Sequence, residues 1–282
     1  MKRHNIMTKA TVWNGPVVPH AAQTGDAPAR KRAAGPLRWI ERWIALAVLL
    51  ALWQISTHYG WVRAVFLPSP SVVFGTLWQL VSTGELFATL GTSLGRAFAG
   101  VALAALVGIP AGFLMAESRF CRWWLSPYVA FGFPLPKIAL IPVLTAWFGM
   151  DSLSKVILVF ATCVFPFIVA AQSGASLISQ KLRWAAFSLG TKRSELFWLI
   201  LLPATVPSML SGLRIALPIG LITVFTAEMV TGGGLGEAIV QAQRYFQSPQ
   251  VYAYVIVTMV VGYLADAGIA WLQRRFAAWA TE

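Results

Sequence analysis

The chain has 282 residues, 57% of them hydrophobic and only 11% charged, with a mean hydropathy of +0.68, a balance that argues against a water-soluble fold. Thirteen Trp and 17 Phe suit lipid-facing and interfacial surfaces. A net charge of +12 suggests a nucleic-acid binder at first sight, but nucleic acid is excluded as a partner once the charges are placed along the chain.

Of the 22 Lys and Arg residues, eight precede position 43: Lys2, Arg3, Lys9, Arg30, Lys31, Arg32, Arg38 and Arg42. The first 36 residues are rich in Ala, Pro, Gly and Thr and carry no apolar periodicity, so residues 1–42 are read as a disordered basic cytoplasmic tail. The apolar run begins 42 residues in and no A-x-A pattern follows it, which excludes a cleaved signal peptide. Arg30, Lys31 and Arg32 read as a topology anchor, with contact to anionic lipid as the alternative.

Six membrane helices are expected, at about 43–59, 88–116, 125–147, 154–174, 206–230 and 250–272. Their cores include the uncharged stretches Ala97–Ala116 (20 residues), Leu196–Leu213 (18) and Tyr245–Ala265 (21). Backbone crossing lipid must be helix or closed barrel, and without period-two alternation helix wins, so the fold class is an all-α polytopic membrane protein. Leu196–Val230, at 35 residues, is too long for one span. A break at Pro203 and Pro207 is therefore expected, with Glu195–Leu202 lying along the inner surface.

Orientation follows from charge. With both termini inside, sixteen basic residues fall in inside segments and three, Arg63, Lys155 and Arg244, outside. The chain then divides into the tail 1–42, a first membrane helix with its outer loop 43–64, a transmembrane domain 65–275 with a cytoplasmic loop 175–205, and a cytoplasmic C-terminus 276–282.

Catalytic and cofactor chemistry finds no residues to carry it. Cys121 and Cys163 are badly placed for a disulfide, and His4, His20 and His58 include no metal-ligand pair at helical spacing. G-x-S-x-G and the phosphate-cradling G-x-x-x-x-G-K-[ST] are both missing. Neither an enzyme activity nor a cofactor is expected, and any ATP used must be bound by another chain. Gly108 and Gly112 have the spacing that lets two helices approach closely. Gly232-Gly233-Gly234-Leu235-Gly236 follows a span, with no strand before it, and reads as a flexible extracytoplasmic turn.

The most informative segment is Trp184-Ala185-Ala186-Phe187-Ser188-Leu189-Gly190, followed after nine residues by Ile200-Leu201-Leu202-Pro203. Lys181 to Leu189 can form a short helix that Gly190 ends in a left-handed cap, and Thr191 can cap the next helix. The product is a helix-turn-helix knob whose two alanines leave one side slim enough to enter a groove on a partner. Here the chain resembles the permease subunits of binding-protein-dependent ABC importers, whose loop signature is E-A-A, three residues, G, nine residues, I-x-L-P. Ala185, Ala186, Gly190, Ile200, Leu202 and Pro203 match it, and Trp184 stands where the family has glutamate. Leu67-Pro68-Ser69-Pro70-Ser71, Trp147-Phe148-Gly149, Ala227-Glu228 and Gly234-Leu235-Gly236 are similar to the nitrate/sulfonate/taurine branch, and the resemblance covers roughly residues 65–275.

That resemblance implies a transport subunit in the bacterial inner membrane, working with a second permease copy as a homodimer, with cytoplasmic ATP-binding cassette subunits docked under the loop, and with a periplasmic substrate-binding protein. The solute it implies is a sulfonate, taurine or a nitrate-like anion. A neutral or cationic heterocycle such as a vitamin precursor is the alternative, and a secondary transporter, for which no inverted repeat is visible, is a more distant one. A membrane-embedded enzyme lacks a catalytic constellation.

Arg96, Lys137, Arg214, Glu228 and Asp266 fall within spans, where an unpaired charge costs on the order of 3 kcal/mol. Arg96 and Glu228 both belong to the outer half and are placed to pair. Either that pair only fixes helix packing, or Arg96, or Arg214 deeper in the fifth span, lines a translocation pathway with Glu228 and attracts an anion. Lys137 is expected to snorkel toward the inner surface.

Overall fold

The computed structural model describes residues 36–276, and the residues outside that range include most of the expected basic tail and C-terminus. The chain divides into two units, residues 1–49 and 50–282. In the first, the described residues form the opening turns of α1, Pro36–His58. Helix therefore takes in residues 36–42 of the expected tail, because Pro36 is preorganised for a first helical turn and Trp39, Ile40 and Trp43 continue the apolar pattern.

The second unit is helical, with no strand among the described residues. After α1 come α2 (Pro70–Ser82), α3 (Glu85–Glu117), α4 (Arg119–Gly132), a 3₁₀ turn at Lys137–Leu140, α5 (Ile141–Phe148), α6 (Ser152–Ser176), α7 (Gln180–Ser188), α8 (Arg193–Leu196), a π turn at Phe197–Leu201, α9 (Leu202–Thr231), α10 (Gly234–Arg244) and α11 (Ser248–Phe276). Among the described residues, four helical runs are long and apolar enough to cross a bilayer: α3, α6, the 38-residue stretch Ser194–Thr231 and α11. They contain the spans expected at 88–116, 154–174, 206–230 and 250–272. In α1, the apolar part Ala47–His58 is shorter than a full crossing.

Two expectations change. The span expected at 125–147 is a pair of helices bent by 90°. The corner falls at Phe133-Pro134-Leu135-Pro136, where two prolines remove backbone donors and bias the residues before them toward extended conformations. Lys137 turns back on this corner instead of snorkelling away: its Nζ donates to the Phe133 carbonyl at 2.7 Å and stands 5.0 Å from the Phe165 ring centroid. The break expected at Pro203 and Pro207 is absent as well. Helix runs on through both prolines, and a π turn just before Pro203, closed by Leu202 N–H to the Phe197 carbonyl, widens the backbone where a proline would otherwise clash.

The core is α3 against α6, with α9 behind them. Lipid tails are as apolar as leucine, so close packing must hold such helices together. Gly100, Ala104, Gly108 and Gly112 recur every four residues along the buried face of α3. A Cβ on Gly100 would fall 2.6 Å from Val159, and one on Gly108 2.7 Å from the Val164 carbonyl. Ala97, Ala104, Val159, Cys163, Ala216 and Val224 fill the interior between the three helices.

A second core forms around α2 and α10, neither of which was expected. Pro70 opens α2 at its first position, and the Pro68 carbonyl before it accepts Trp53 Nε1–H at 3.1 Å. Helix α10 is amphipathic: Leu235, Ile239 and Ala242 are buried, while Glu237, Gln241 and Arg244 share its more polar side. Its apolar face meets Val73, Leu86 and Tyr254 of α2, α3 and α11.

Candidate functional site: a surface knob and two ion pairs within the spans

Helix α7 is the knob. Its first turn is capped by Ser179, whose hydroxyl accepts the Leu182 N–H at 3.3 Å. It ends in a Schellman arrangement: Thr191 N–H reaches the Ala186 carbonyl at 3.2 Å, Gly190 N–H reaches that of Phe187 at 3.0 Å, and Gly190 has φ +84°. The cap of α8 comes from Glu195, not from Thr191 as expected: its carboxylate accepts the Lys192 N–H at 2.9 Å and offsets the basic residues at that positive helix end.

The two alanines of the knob face opposite ways. Ala186 is buried among Phe113, Ala171, Ala175, Leu196 and Leu201 of its own chain, so at this residue the slim side is turned inward. Ala185 is exposed, as are Trp184, Phe187 and Leu189. Leu201 is buried, Ile200 and Leu202 pack against the same cluster, and Pro203 opens α9. The second half of the sequence motif is thus the floor on which the knob sits. Beside α7, Trp184, Phe187, Leu196, Phe197 and Leu201 line a cleft of about 540 Å³.

Arg183 ties the knob to the ends of the long helices. Its Nη1 meets Glu117 Oε1 at 2.5 Å, and its Nη2 donates to the Ala175 carbonyl at 3.2 Å. Arg122 closes the end of α3, donating to the Met115 and Ala116 carbonyls at 2.9 and 3.0 Å.

At the other end of α3, the structure pairs Arg96 with Glu228. Arg96 Nη1 stands 2.8 Å from Glu228 Oε1, with the carboxylate fully buried. Ser93 Oγ donates to Glu228 Oε2 at 2.6 Å, and Gly236 N–H donates to the same oxygen at 3.1 Å. Leu235 N–H in turn donates to Ser93 Oγ at 2.8 Å, and Arg96 Nε donates to Ser152 Oγ at 3.0 Å. Gly232, Gly233 and Gly234 all have positive φ, which aims the first amides of α10 at this cluster. The glycine run is therefore the hydrogen-bonded start of a helix. Lys155, expected in an outer loop, lies buried in the first turn of α6, its Nζ on the Met150 carbonyl at 2.7 Å.

Arg214 forms a second pair, with Asp266 of α11. Nε and Nη2 reach the two carboxylate oxygens at 3.0 and 3.4 Å, and both side chains are about half exposed, at 49%. The sequence marked both residues without joining them, 52 positions apart on α9 and α11. Sequence reasoning also passed over a cavity of about 280 Å³ flanked by Ser173 of α6 and Ser208, Ser211 and Ile215 of α9. The spacing 208, 211, 215 along one helix face was its only signal.

Cys121 and Cys163 are free thiols. Among the described residues, no three His, Cys, Asp or Glu side chains stand together as metal ligands.

Long apolar helices packed through glycines, with a short helix held out at one end, define the class: a multi-pass membrane permease. The chain belongs to the family of binding-protein-dependent transport system inner membrane components, whose family model matches residues 108–278. It is 32% identical over 253 residues to SsuC of Bacillus subtilis, which bears the name of an aliphatic sulfonates transport permease, covering 89% of this chain and 90% of the relative. It is 32% identical over 243 residues to the taurine transport system permease TauC of Escherichia coli, at 84% and 88% coverage, and 31% identical over 241 residues to the nitrate import permease NrtB of a Synechocystis species, at 82% and 86%. The fold matches a chain of the inward-facing MetNI methionine ABC transporter with a TM-score of 0.61 at 17% identity, covering 68% of this chain and 95% of that one. The chain is thus a permease component.

Proposed function

We propose that this permease imports a small sulfonate, taurine or nitrate-like anion across the bacterial inner membrane, driven by ATP-binding subunits that dock on α7. The observation that carries the reading is the knob: Ala186 locked inward, with Trp184, Ala185, Phe187 and Leu189 presented outward on a capped, anchored helix. Two permease copies form the pore, and a periplasmic binding protein delivers the solute. Residues 65–275 form the transmembrane domain, 43–64 the membrane-inserted part of α1 and the outer loop, and the segments 1–42 and 276–282 are cytoplasmic, as is the coupling loop 175–205. The distribution of basic residues supports this orientation.

Docking on Trp184, Ala185 and Gly190, with Ile200, Leu202 and Pro203 as the floor, couples closure of the ATPase to movement of the spans. Such coupling requires the knob to contact its partner differently in the two states. Arg214, half exposed in its pair with Asp266, is the pathway residue of this proposal. Arg96 and Glu228 hold the outer ends of the spans together.

The test is Ala185→Glu in the full permease co-expressed with its ATPase subunit. The variant is expected to elute as a folded membrane protein yet to lose both the bound ATPase and ATP-driven uptake. Parental capture of the ATPase with parental uptake would refute docking on this face. Competition of uptake by taurine, alkanesulfonates and nitrate identifies the solute class.

A further inference from the structure

Adjoining the aromatic cleft, and sharing Glu117, Gln180 and Arg183 with it, is a second cavity of about 410 Å³ whose lining also includes Arg119, Arg122 and Ser176. Three guanidinium groups and a single carboxylate line it. Arg183 holds that carboxylate, and Arg122 has committed two donors to the end of α3. Arg119 makes no side-chain hydrogen bond among the described residues. The cavity therefore carries two positive charges in excess, with guanidinium donors of fixed planar geometry left to spend, the chemistry that suits phosphate oxygens.

The same helix supplies an apolar counterpart. From Arg119 onward, α4 exposes Phe120, Trp123, Trp124, Tyr128 and Phe131, a continuous aromatic stripe at helical spacing. Trp and Tyr in such a stripe belong at the level where acyl chains meet headgroups. A basic hollow between helix ends, next to an aromatic face, matches an acidic headgroup with its chains. The adjoining cleft adds the side chains of Trp184, Phe187 and Phe197, which suit a protein partner.

We propose that the Arg119–Arg122–Arg183 cavity is a binding site for the phosphodiester headgroup of an anionic phospholipid of the inner leaflet. Basic pockets between spans on the cytoplasmic side are known to take acidic headgroups. Because Arg183 also anchors the knob through Glu117, the bound headgroup competes with Glu117 for it and makes the seat of α7 sensitive to lipid charge.

The inference rests on the inward orientation of this end, but its test does not. The full chain is placed in phosphatidylcholine nanodiscs, both leaflets of which receive phosphatidylglycerol in increasing amount, and retained lipid is read by native mass spectrometry. Arg119→Gln is expected to weaken phosphatidylglycerol retention about fivefold, the loss of one headgroup contact. Arg274→Gln, at the end of α11 and outside the cavity, should stay within about twofold of the parent. Unchanged retention by Arg119→Gln, or an equal loss with Arg274→Gln, would overturn the site. Displacement of the lipid by inorganic phosphate alone would overturn the lipid assignment in favour of a soluble anion. Lost capture of the ATPase by Arg119→Gln with lipid retention intact would overturn it in favour of a protein contact. Orientation is read separately, from maleimide labelling of Leu189→Cys in a Cys121→Ser background in spheroplasts.

Discussion

Two ion pairs lie within the spans, and they are built in opposite ways. Arg96–Glu228 is closed: the carboxylate is fully buried, the arginine is 11% exposed, and a hydroxyl and a backbone amide complete the carboxylate's bonding. Arg214–Asp266 is open, with both side chains half exposed and only the guanidinium reaching the carboxylate. A buried charge that is fully partnered fixes geometry, because any other arrangement leaves it unpaired at high cost. A half-exposed pair can exchange one partner for another at little cost. The first is suited to holding α3, α9 and α10 together, the second to the solute contact proposed for Arg214.

The comparison breaks most visibly at Glu228. Glu228→Ala strands Arg96 and removes three bonds at once, and is expected to cost about 3–5 kcal/mol, read as loss of folded permease and a lowered melting midpoint in detergent. An unchanged midpoint would show that the closed pair does not hold the spans. Gly234→Ala attacks the same clasp through the backbone. Its φ of +79° is strained for alanine, and the new Cβ would collide with the Glu228 carboxylate and with Ser93 Oγ. A loss of about 1–3 kcal/mol is expected, whereas Gly95→Ala, whose Cβ meets nothing within 4 Å, should leave the midpoint unchanged or slightly raised.

Ser93→Ala is a smaller cut than Glu228→Ala. It removes one hydrogen bond to a charged group and leaves the Leu235 amide without its acceptor, at an expected cost of about 1.5–3 kcal/mol. Measured beside Gly95→Ala, on the same helix and only two residues away, it separates the clasp from general effects on α3.

Much of the architecture was legible in the sequence because lipid imposes a simple rule: long uncharged runs such as Ala97–Ala116 and Tyr245–Ala265 cross as helices. The rule says nothing about direction. Phe133-Pro134-Leu135-Pro136 is as apolar as its surroundings, so hydropathy alone does not distinguish the 90° corner from a straight span. Pro203 misled in the opposite sense, because a π turn absorbs its missing donor. The short helices α2 and α10 escaped notice for want of length. In the site, Gly190 and the slim alanines announced a capped knob, but adjacent alanines carry no signal for which of them faces inward, and only Ala186 does. Arg96 and Glu228 were joined by depth alone. Arg214 and Asp266 sit on helices whose relative rotation the sequence does not encode, so their contact stayed hidden.

The open pair gives the smallest structural effect and the clearest functional one. Asp266→Asn and Arg214→Ala, singly and together, are expected to return a coupling energy of about 0.6 kcal/mol, in the range of interhelical bonds in membranes, with melting midpoints near the parent. Uptake should separate the two single variants. If Arg214 contributes its charge to the solute, Arg214→Ala slows uptake while Asp266→Asn, which frees the guanidinium, preserves it. Equal loss in both would mean that the pair itself is required, making the open pair a packing contact like the closed one. The contrast in exposure between the two pairs would then carry no functional meaning.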